Sequence, residues 1–351
     1  MYYFIQKNGN LNIVYEIIQI YNYIVIKKPE KRKQKNKRRE FCMAKFEDFY
    51  FYSSTGKNQI HALKCIPDGP VRAVVQIAHG IAEHIDRYRD FMAYLAQNGF
   101  AVVGNDHLGH GKTITGEKDK GVFYPEDGWN HVLDDLVTLH DIMAEQYPGV
   151  KYVMFGHSMG SFLVRTYIVD HPDKYDMAII SGTGHQGKLL VGAGNLMVKN
   201  IIKKKGYDSD GTKLNDLSMG GYLKKIDNPR TPCDWLSRDA AQVDKYMADE
   251  LCGFTAKAGL YGDMLKGVKY VTDMANIAKV KPDKPVYFMS GTADPVGDYG
   301  KGVKKAYACF QKAGVKDLSL KLYEGGRHEM LNEINKDQVY QDILNWLNQR
   351  V

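Results

Sequence analysis

Short apolar runs separated by longer amphipathic stretches set the rhythm of this 351-residue chain. Residues 73–78, 101–106, 152–155, 177–181 and 286–290 are mostly apolar and are bounded by polar or glycine-rich sequence. Runs of that length suit strands buried on both faces of a sheet. Residues 46–52 and 60–66 read as an opening pair of strands, and 318–323 alternates apolar and polar like another. Between them, 129–146 carries apolar residues at helical spacing, 161–168 reads as a helix, and 339–347 closes the chain as a helix. Strands alternating with helices predict an α/β protein: a mostly parallel central sheet with helices on both faces.

The alternation stops between about 184 and 280, where charge rises and helix-like patches such as 189–205 appear. This predicts a sheet domain over 43–183 and 281–351 with an inserted helical cap over 184–280. Such a cap would roof the strand C-termini, where open α/β sheets usually bind ligands. Leu189, Leu190, Leu196, Met197 and Phe254 are expected either to line a channel under the cap or to form the cap's own core.

The most informative stretch is Gly156-His157-Ser158-Met159-Gly160, between the run at 152–155 and the helix at 161–168. Strand, G-x-S-x-G, then helix is the setting of a nucleophile elbow. The turn is too tight for side chains at its flanks, so glycine stands there. It exposes Ser158 and aims the Met159 N–H, with the start of a helix dipole, at the space above. A serine hydroxyl needs a base, and the base needs an orienting acid. In enzymes with this elbow the chain order is serine, acid, histidine. Asp294 follows the strand at 286–290, and His328 lies in a glycine-rich loop after the strand at 318–323. Asp106, which also ends a strand, is the rival acid. After the strand at 73–78, His79-Gly80-Ile81 offers the Ile81 N–H as a second oxyanion donor beside that of Met159. His79 and His84 read as braces of this loop, because His328 already holds the base's position.

These segments resemble the monoacylglycerol lipase and lysophospholipase branch of the α/β-hydrolases. The resemblance rests on His79-Gly80 with Glu83-His84 and Arg87-Tyr88, and on Asp106-His107-Leu108-Gly109-His110-Gly111. It continues through Gly156 to Gly160, Gly291-Thr292-Ala293-Asp294 and Tyr323-Glu324-Gly325-Gly326-Arg327-His328-Glu329. It runs from about Phe49 to the C-terminus and extends to Trp235-Leu236-Ser237-Arg238-Asp239 in the cap. It implies the α/β-hydrolase fold, with Ser158 as nucleophile, His328 as base and Asp294 as acid. It implies the Ile81 and Met159 N–H groups as oxyanion donors and His79, Gly80, Gly156 and Gly160 as motif support. The expected reaction is hydrolysis of a small-molecule or single-chain lipid ester, a monoacylglycerol or lysophospholipid. An aminopeptidase, an amidase or a short-chain carboxylesterase of the same fold is the alternative. An aminopeptidase needs cap carboxylates to hold an amine, and no acidic cluster stands out there.

Composition changes the picture at one end only. Residues 1–42 hold ten Lys and Arg against three Glu, while the remaining residues hold 38 of each sign. The positive charge therefore belongs to the N-terminal stretch, read either as a mis-assigned start before Met43 or as an interfacial anchor making transient membrane-surface contact. The charge has no interleaved stacking pattern, which argues against a nucleic-acid partner. The apolar run within residues 11–26 is short and broken for a membrane span. Five cysteines without C-x-x-C spacing suggest free thiols in the cytoplasm. Neither a metal nor a cofactor is expected, and the oligomeric state is left open.

Overall fold

The computed structural model describes residues 45–351, and the basic stretch before Met43 lies outside them. Eight strands make one sheet: β1 (Lys45–Tyr52), β2 (Gln59–Ile66), β3 (Ala73–Ala78), β4 (Phe100–Asn105), β5 (Lys151–His157), β6 (Met177–Ser181), β7 (Val286–Gly291) and β8 (Leu318–Tyr323). Their order is β1-β2-β4-β3-β5-β6-β7-β8. β1 and β2 pair antiparallel, β2 joins β4 antiparallel, and every later pairing is parallel. This is the mostly parallel sheet of the α/β-hydrolase fold.

The helices are α1 (Arg89–Ala96), α2 (Gly128–Gln146), α3 (Met159–Asp170), α4 (Lys188–Lys205), α5 (Thr212–Met219), α6 (Ala240–Ala248), α7 (Ala258–Val271), α8 (Met274–Ile277), α9 (Lys301–Lys312) and α10 (Lys336–Asn348). Side chains alternate across a strand, so a strand buried on both faces feeds two cores. Val75 and Ile77 of β3 join Phe91, Leu95, Ile343 and Leu347 from α1 and α10. Val74 and Ala78 join Leu136, Leu163, Tyr167 and Phe310 from α2, α3 and α9. That two-sided burial is why β3 to β7 read as continuous apolar runs. β1 lies at the sheet edge and is largely exposed, matching its more polar sequence.

Sequence and structure part at two helices. α1 and α9 carry buried residues at helical spacing, Phe91, Met92 and Leu95 in one and Val303, Ala306 and Phe310 in the other. Neither stands out as an apolar run in the sequence, since α1 follows directly on the Arg87-Tyr88 motif and α9 is rich in lysine. Between β6 and β7 the chain forms α4 to α8 and no strand.

The register aligns the strand ends that matter. Ala78 pairs with Gly156, His157 with Ser181, Ser181 with Met289, and Gly291 with Tyr323. The loops that leave β3, β5, β7 and β8 therefore emerge along one edge of the sheet.

Candidate active site

Ser158 sits at the junction of β5 and α3 with φ 52° and ψ −120°. That backbone conformation costs a non-glycine residue of order 1–3 kcal/mol and persists only when its surroundings hold it. The surroundings are tight. A Cβ on Gly156 would come within 2.4 Å of the Gly160 carbonyl oxygen, and one on Gly160 within 2.0 Å of the Ala78 carbonyl oxygen. The Ser158 N–H donates to the Ser181 carbonyl (3.0 Å), while its own carbonyl accepts from Ser161 N–H (2.9 Å) and Ser161 Oγ (2.6 Å).

Asp294, just past β7, and His328, past β8, meet although they are far apart in sequence. His328 Nδ1 donates to Asp294 Oδ1 at 3.0 Å. The carboxylate also accepts from Ser290 Oγ (2.8 Å) and Val296 N–H (2.9 Å), which leaves it fully engaged. Both side chains are buried. Burial alone would push the aspartate up, yet His328 and these donors hold it below the ordinary carboxylate range. Burial likewise disfavours the charged imidazole, but Asp294, with Glu329 and Glu83 nearby, outweighs it and raises the His328 pKa. His328 Nε2 has no hydrogen-bond partner among the described residues. Ser158 and His328 line the same cavity without being hydrogen-bonded to one another. Such contacts are often open in an unliganded enzyme.

The turn after β3 lies against the serine: a Cβ on Gly80 would approach Ser158 Cβ to 3.1 Å. Neither the Ile81 nor the Met159 N–H bonds another backbone group among the described residues. His79 Nδ1 donates to the Gly80 carbonyl (2.8 Å), and its Nε2 accepts from His107 N–H (3.1 Å), so both ring nitrogens brace the loop. His84 Nε2 bonds Asp249 Oδ2 (2.9 Å) on the 184–280 segment. Asp249, His84 and Cys252 place one ligand-type atom each within 4.8 Å of the others. The His84–Asp249 pair is already hydrogen-bonded, and burial pushes the Cys252 thiol up. Asp106, the rival acid, spends its carboxylate on His61 Nδ1, Ile85 N–H and Lys112 N–H, each at 2.8 Å, and does not contact His328.

A cavity of about 340 Å³ opens above Ser158. Gly80, Ile81, His157 and His328 form its floor, and Met219, Leu223, Trp235, Leu236, Phe254 and Tyr261 supply apolar walls. Of the five apolar residues expected in a channel or a cap core, only Phe254 lines the cavity. Leu189, Leu190 and Leu196 are 92%, 69% and 64% exposed, and Met197 is exposed as well. They fill neither role. α4 buries Val191 and Val198 and packs on α7, which leaves its leucine face outward. Periodicity marks an apolar stripe but not what lies opposite it.

Several site residues were legible only as motif letters. Glu83 and Glu329 line the cavity, yet both are tied to Arg87. His157 packs on His328 with ring centroids 4.7 Å apart, and burial beside that second imidazole pulls its pKa down to about 4. Trp235 also packs on His328, with ring centroids 5.2 Å apart. The i,i+4 spacing of Glu83 and Arg87 was the one available signal for their pairing.

Known proteins share this arrangement of elements. The family described as serine aminopeptidase, S33, matches residues 69–335. A monoglyceride lipase homolog of monkeypox virus is 28% identical over 313 residues, covering 88% of this chain and 98% of that protein. The human monoglyceride lipase is 27% identical over 289 residues, covering 81% and 85% respectively. The crystal structure of a thermostable carboxyl esterase from Bacillus coagulans, in complex with glycerol, superposes with a TM-score of 0.81 at 32% identity. It covers 88% of this chain and 99% of its own.

Proposed function

The chain belongs to the serine aminopeptidase S33 family of α/β-hydrolases, and from that premise we propose that it hydrolyses esters of single-chain lipids through an acyl-enzyme on Ser158. Monoacylglycerols are the first substrate class and lysophospholipids the second. The observation that carries the reading is a strained serine sharing one cavity with the free Nε2 of His328, whose other nitrogen is bound to a buried aspartate.

Ser158 Oγ attacks the ester carbonyl carbon as His328 Nε2 takes its proton. The carbonyl oxygen becomes an oxyanion, received by the Ile81 and Met159 N–H groups. One such donor is worth about 3 kcal/mol in the transition state. The intermediate collapses, and His328 gives its proton to the departing alcohol oxygen. Water then loses a proton to His328 and attacks the acyl carbon. As the bond from that carbon to Ser158 Oγ breaks, His328 returns the proton to Oγ, which releases the fatty acid and restores Ser158. Asp294 keeps Nδ1 protonated throughout, so Nε2 stays available.

The walls favour an ester with an acyl chain over an aminoacyl amide. An amine needs an unpaired carboxylate, whereas the cavity's carboxylates, Glu83 and Glu329, are both paired with Arg87. None of the lining residues from 184–280 is acidic. That helical segment serves in this reading as the cap over the site. Its α4 helix presents exposed Leu189, Leu190, Leu196 and Met197 together with five lysines and no acid. This combination suits transient docking on an anionic lipid surface, where monoacyl lipids reside. Among the described residues no helix is long and apolar enough to cross a membrane. The four described cysteines are free thiols, which fits a reducing cytoplasmic setting.

The test is turnover of monooleoylglycerol by the purified chain and by Ser158→Ala, with an aminoacyl amide as the competing substrate. Ser158→Ala should lose about 10⁴-fold or more in kcat while staying folded. A folded Ser158→Ala variant retaining a tenth of the parent rate, or a parent that prefers the amide, would remove this assignment.

A further inference from the structure

We propose that Glu83 is a positioning residue of the oxyanion hole, locking the Gly80–Ile81 turn in place and, through Arg87 and Glu329, fastening it to the loop that carries His328. The proposal rests on the serine-hydrolase reading above.

The Ile81 N–H belongs to the same peptide unit as the Gly80 carbonyl. Its direction is therefore set by whatever holds that carbonyl and the neighbouring Gly80 N–H. His79 Nδ1 holds the carbonyl (2.8 Å), and Glu83 Oε1 accepts from the Gly80 N–H at 2.6 Å. Tyr88 Oη donates to the same carboxylate oxygen at 3.0 Å. The turn needs such ties. Ala82, two residues on, has φ 53°, a left-handed conformation that a residue with a Cβ adopts only under constraint. The Ala82 carbonyl accepts from Tyr246 Oη and Gly253 N–H, each at 3.0 Å.

The second carboxylate oxygen reaches the other loop. Arg87 Nη1 donates to Glu83 Oε2 (2.6 Å) and to Glu329 Oε1 (2.7 Å), and Arg87 Nη2 donates to Glu329 Oε2 (2.6 Å). Glu329 follows His328 directly, and its own N–H donates to the Leu236 carbonyl at 2.7 Å. One guanidinium thus bridges the loop after β3 and the loop after β8. All three side chains are buried or nearly so. Buried ion clusters seldom stabilise a fold better than apolar packing of the same volume would. Position is the better account of this one, because its two ends lie next to groups that the reaction uses: Glu83 holds the Gly80 N–H, one peptide before the Ile81 donor, and Glu329 follows His328 in the chain.

Glu83→Ala removes the acceptor for the Gly80 N–H. The expected result is a fall in kcat of about 10²-fold, the scale of a misplaced oxyanion donor, with KM within about threefold. Glu83→Gln keeps an amide oxygen that can accept from Gly80 and should recover about tenfold of the loss. A second readout separates positioning from loss of fold. A trifluoromethyl ketone analogue adds to Ser158 and places an oxyanion in the hole, whereas the corresponding ether cannot. The ketone's affinity should weaken by the same factor as kcat, and the ether's should not change. If Glu83→Ala does not fold, Arg87→Lys, which cannot bridge both carboxylates in the same fork geometry, carries the same comparison. A kcat within threefold of the parent, or equal weakening of both ligands, overturns the inference. A parent chain that turns over no ester would instead defeat the hydrolase reading on which it rests.

Discussion

An imidazole serves as a base only while it is neutral, so the environment of His328 sets the pH at which the proposed reaction starts. Its pKa lies above the ordinary value of about 6.5, raised by Asp294 against the opposing effect of burial. Below that pKa His328 is protonated and cannot take the Ser158 proton. The acid limb of kcat/KM should therefore fall above pH ~6.5 and not below it. Asp294→Asn removes the responsible charge. It should move the limb to lower pH and cut kcat by about 10⁴-fold, because the imidazole tautomer is no longer fixed. Asp106→Asn should leave the limb in place, since Asp106 bonds His61, Ile85 and Lys112 and not His328. A folded Asp106→Asn variant that loses more turnover than Asp294→Asn would mean that the acid has been misassigned. At this scale the sequence was most informative. Ser158 directly follows β5, Asp294 and His328 lie in the loops a few residues past β7 and β8, and chain order alone separates their proposed roles. Beyond the i,i+4 spacing of Glu83 and Arg87 it said nothing of Arg87 closing on a second glutamate, because 242 positions separate Arg87 from Glu329.

At the scale of elements, the elbow and α4 show opposite sides of what a pattern conveys. The elbow is local. Gly156 and Gly160 are required because the Gly160 and Ala78 carbonyls leave no room for a Cβ, and a pentapeptide can announce such a turn. The apolar stripe of α4 is ambiguous, since a stripe faces either protein or something outside it. The structure leaves Leu189 and Leu190 outward. If these residues meet lipid, Leu189→Ser with Leu190→Ser should slow hydrolysis of a monoacylglycerol in anionic vesicles by about tenfold. That corresponds to losing roughly 1.4 kcal/mol, well within what two leucines gain on burial. Hydrolysis of a soluble short-chain ester should stay within twofold of the parent. Equal slowing on both substrates would assign α4 a role inside the enzyme instead.

For the whole molecule, the central question is how much of a substrate the fold encloses. The cavity lies between the sheet's loops and the 184–280 helices, with Trp235, Leu236 and Phe254 among its walls. Each buried methylene contributes about 0.8 kcal/mol, and part of that can align the carbonyl with Ser158. The value of kcat/KM should accordingly rise from acetyl to at least octanoyl esters, and monoacyl lipids should outpace diacyl ones. Initial rates across a series of 4-nitrophenyl esters, followed by mono- and diacylglycerols, measure this directly. A maximum at acetyl or propionyl with collapse beyond it would reduce the reading to a short-chain esterase.

The sequence by itself determined the alternation of strands and helices, the elbow at Ser158 and the chain order of the three side chains of the proposed triad. These features are local: strand burial, turn sterics and the residue that follows a strand are each legible within about ten positions. Tertiary structure decided which groups meet and which face outward. Only parallel pairing of β3, β5, β6, β7 and β8 brings Gly80, Ser158, Asp294 and His328 to one edge. Only packing of α4 on α7 turns four apolar residues, expected inside, toward the outside. Contacts between residues distant in sequence depend on how the whole sheet stacks its helices, and no window of the chain contains that information.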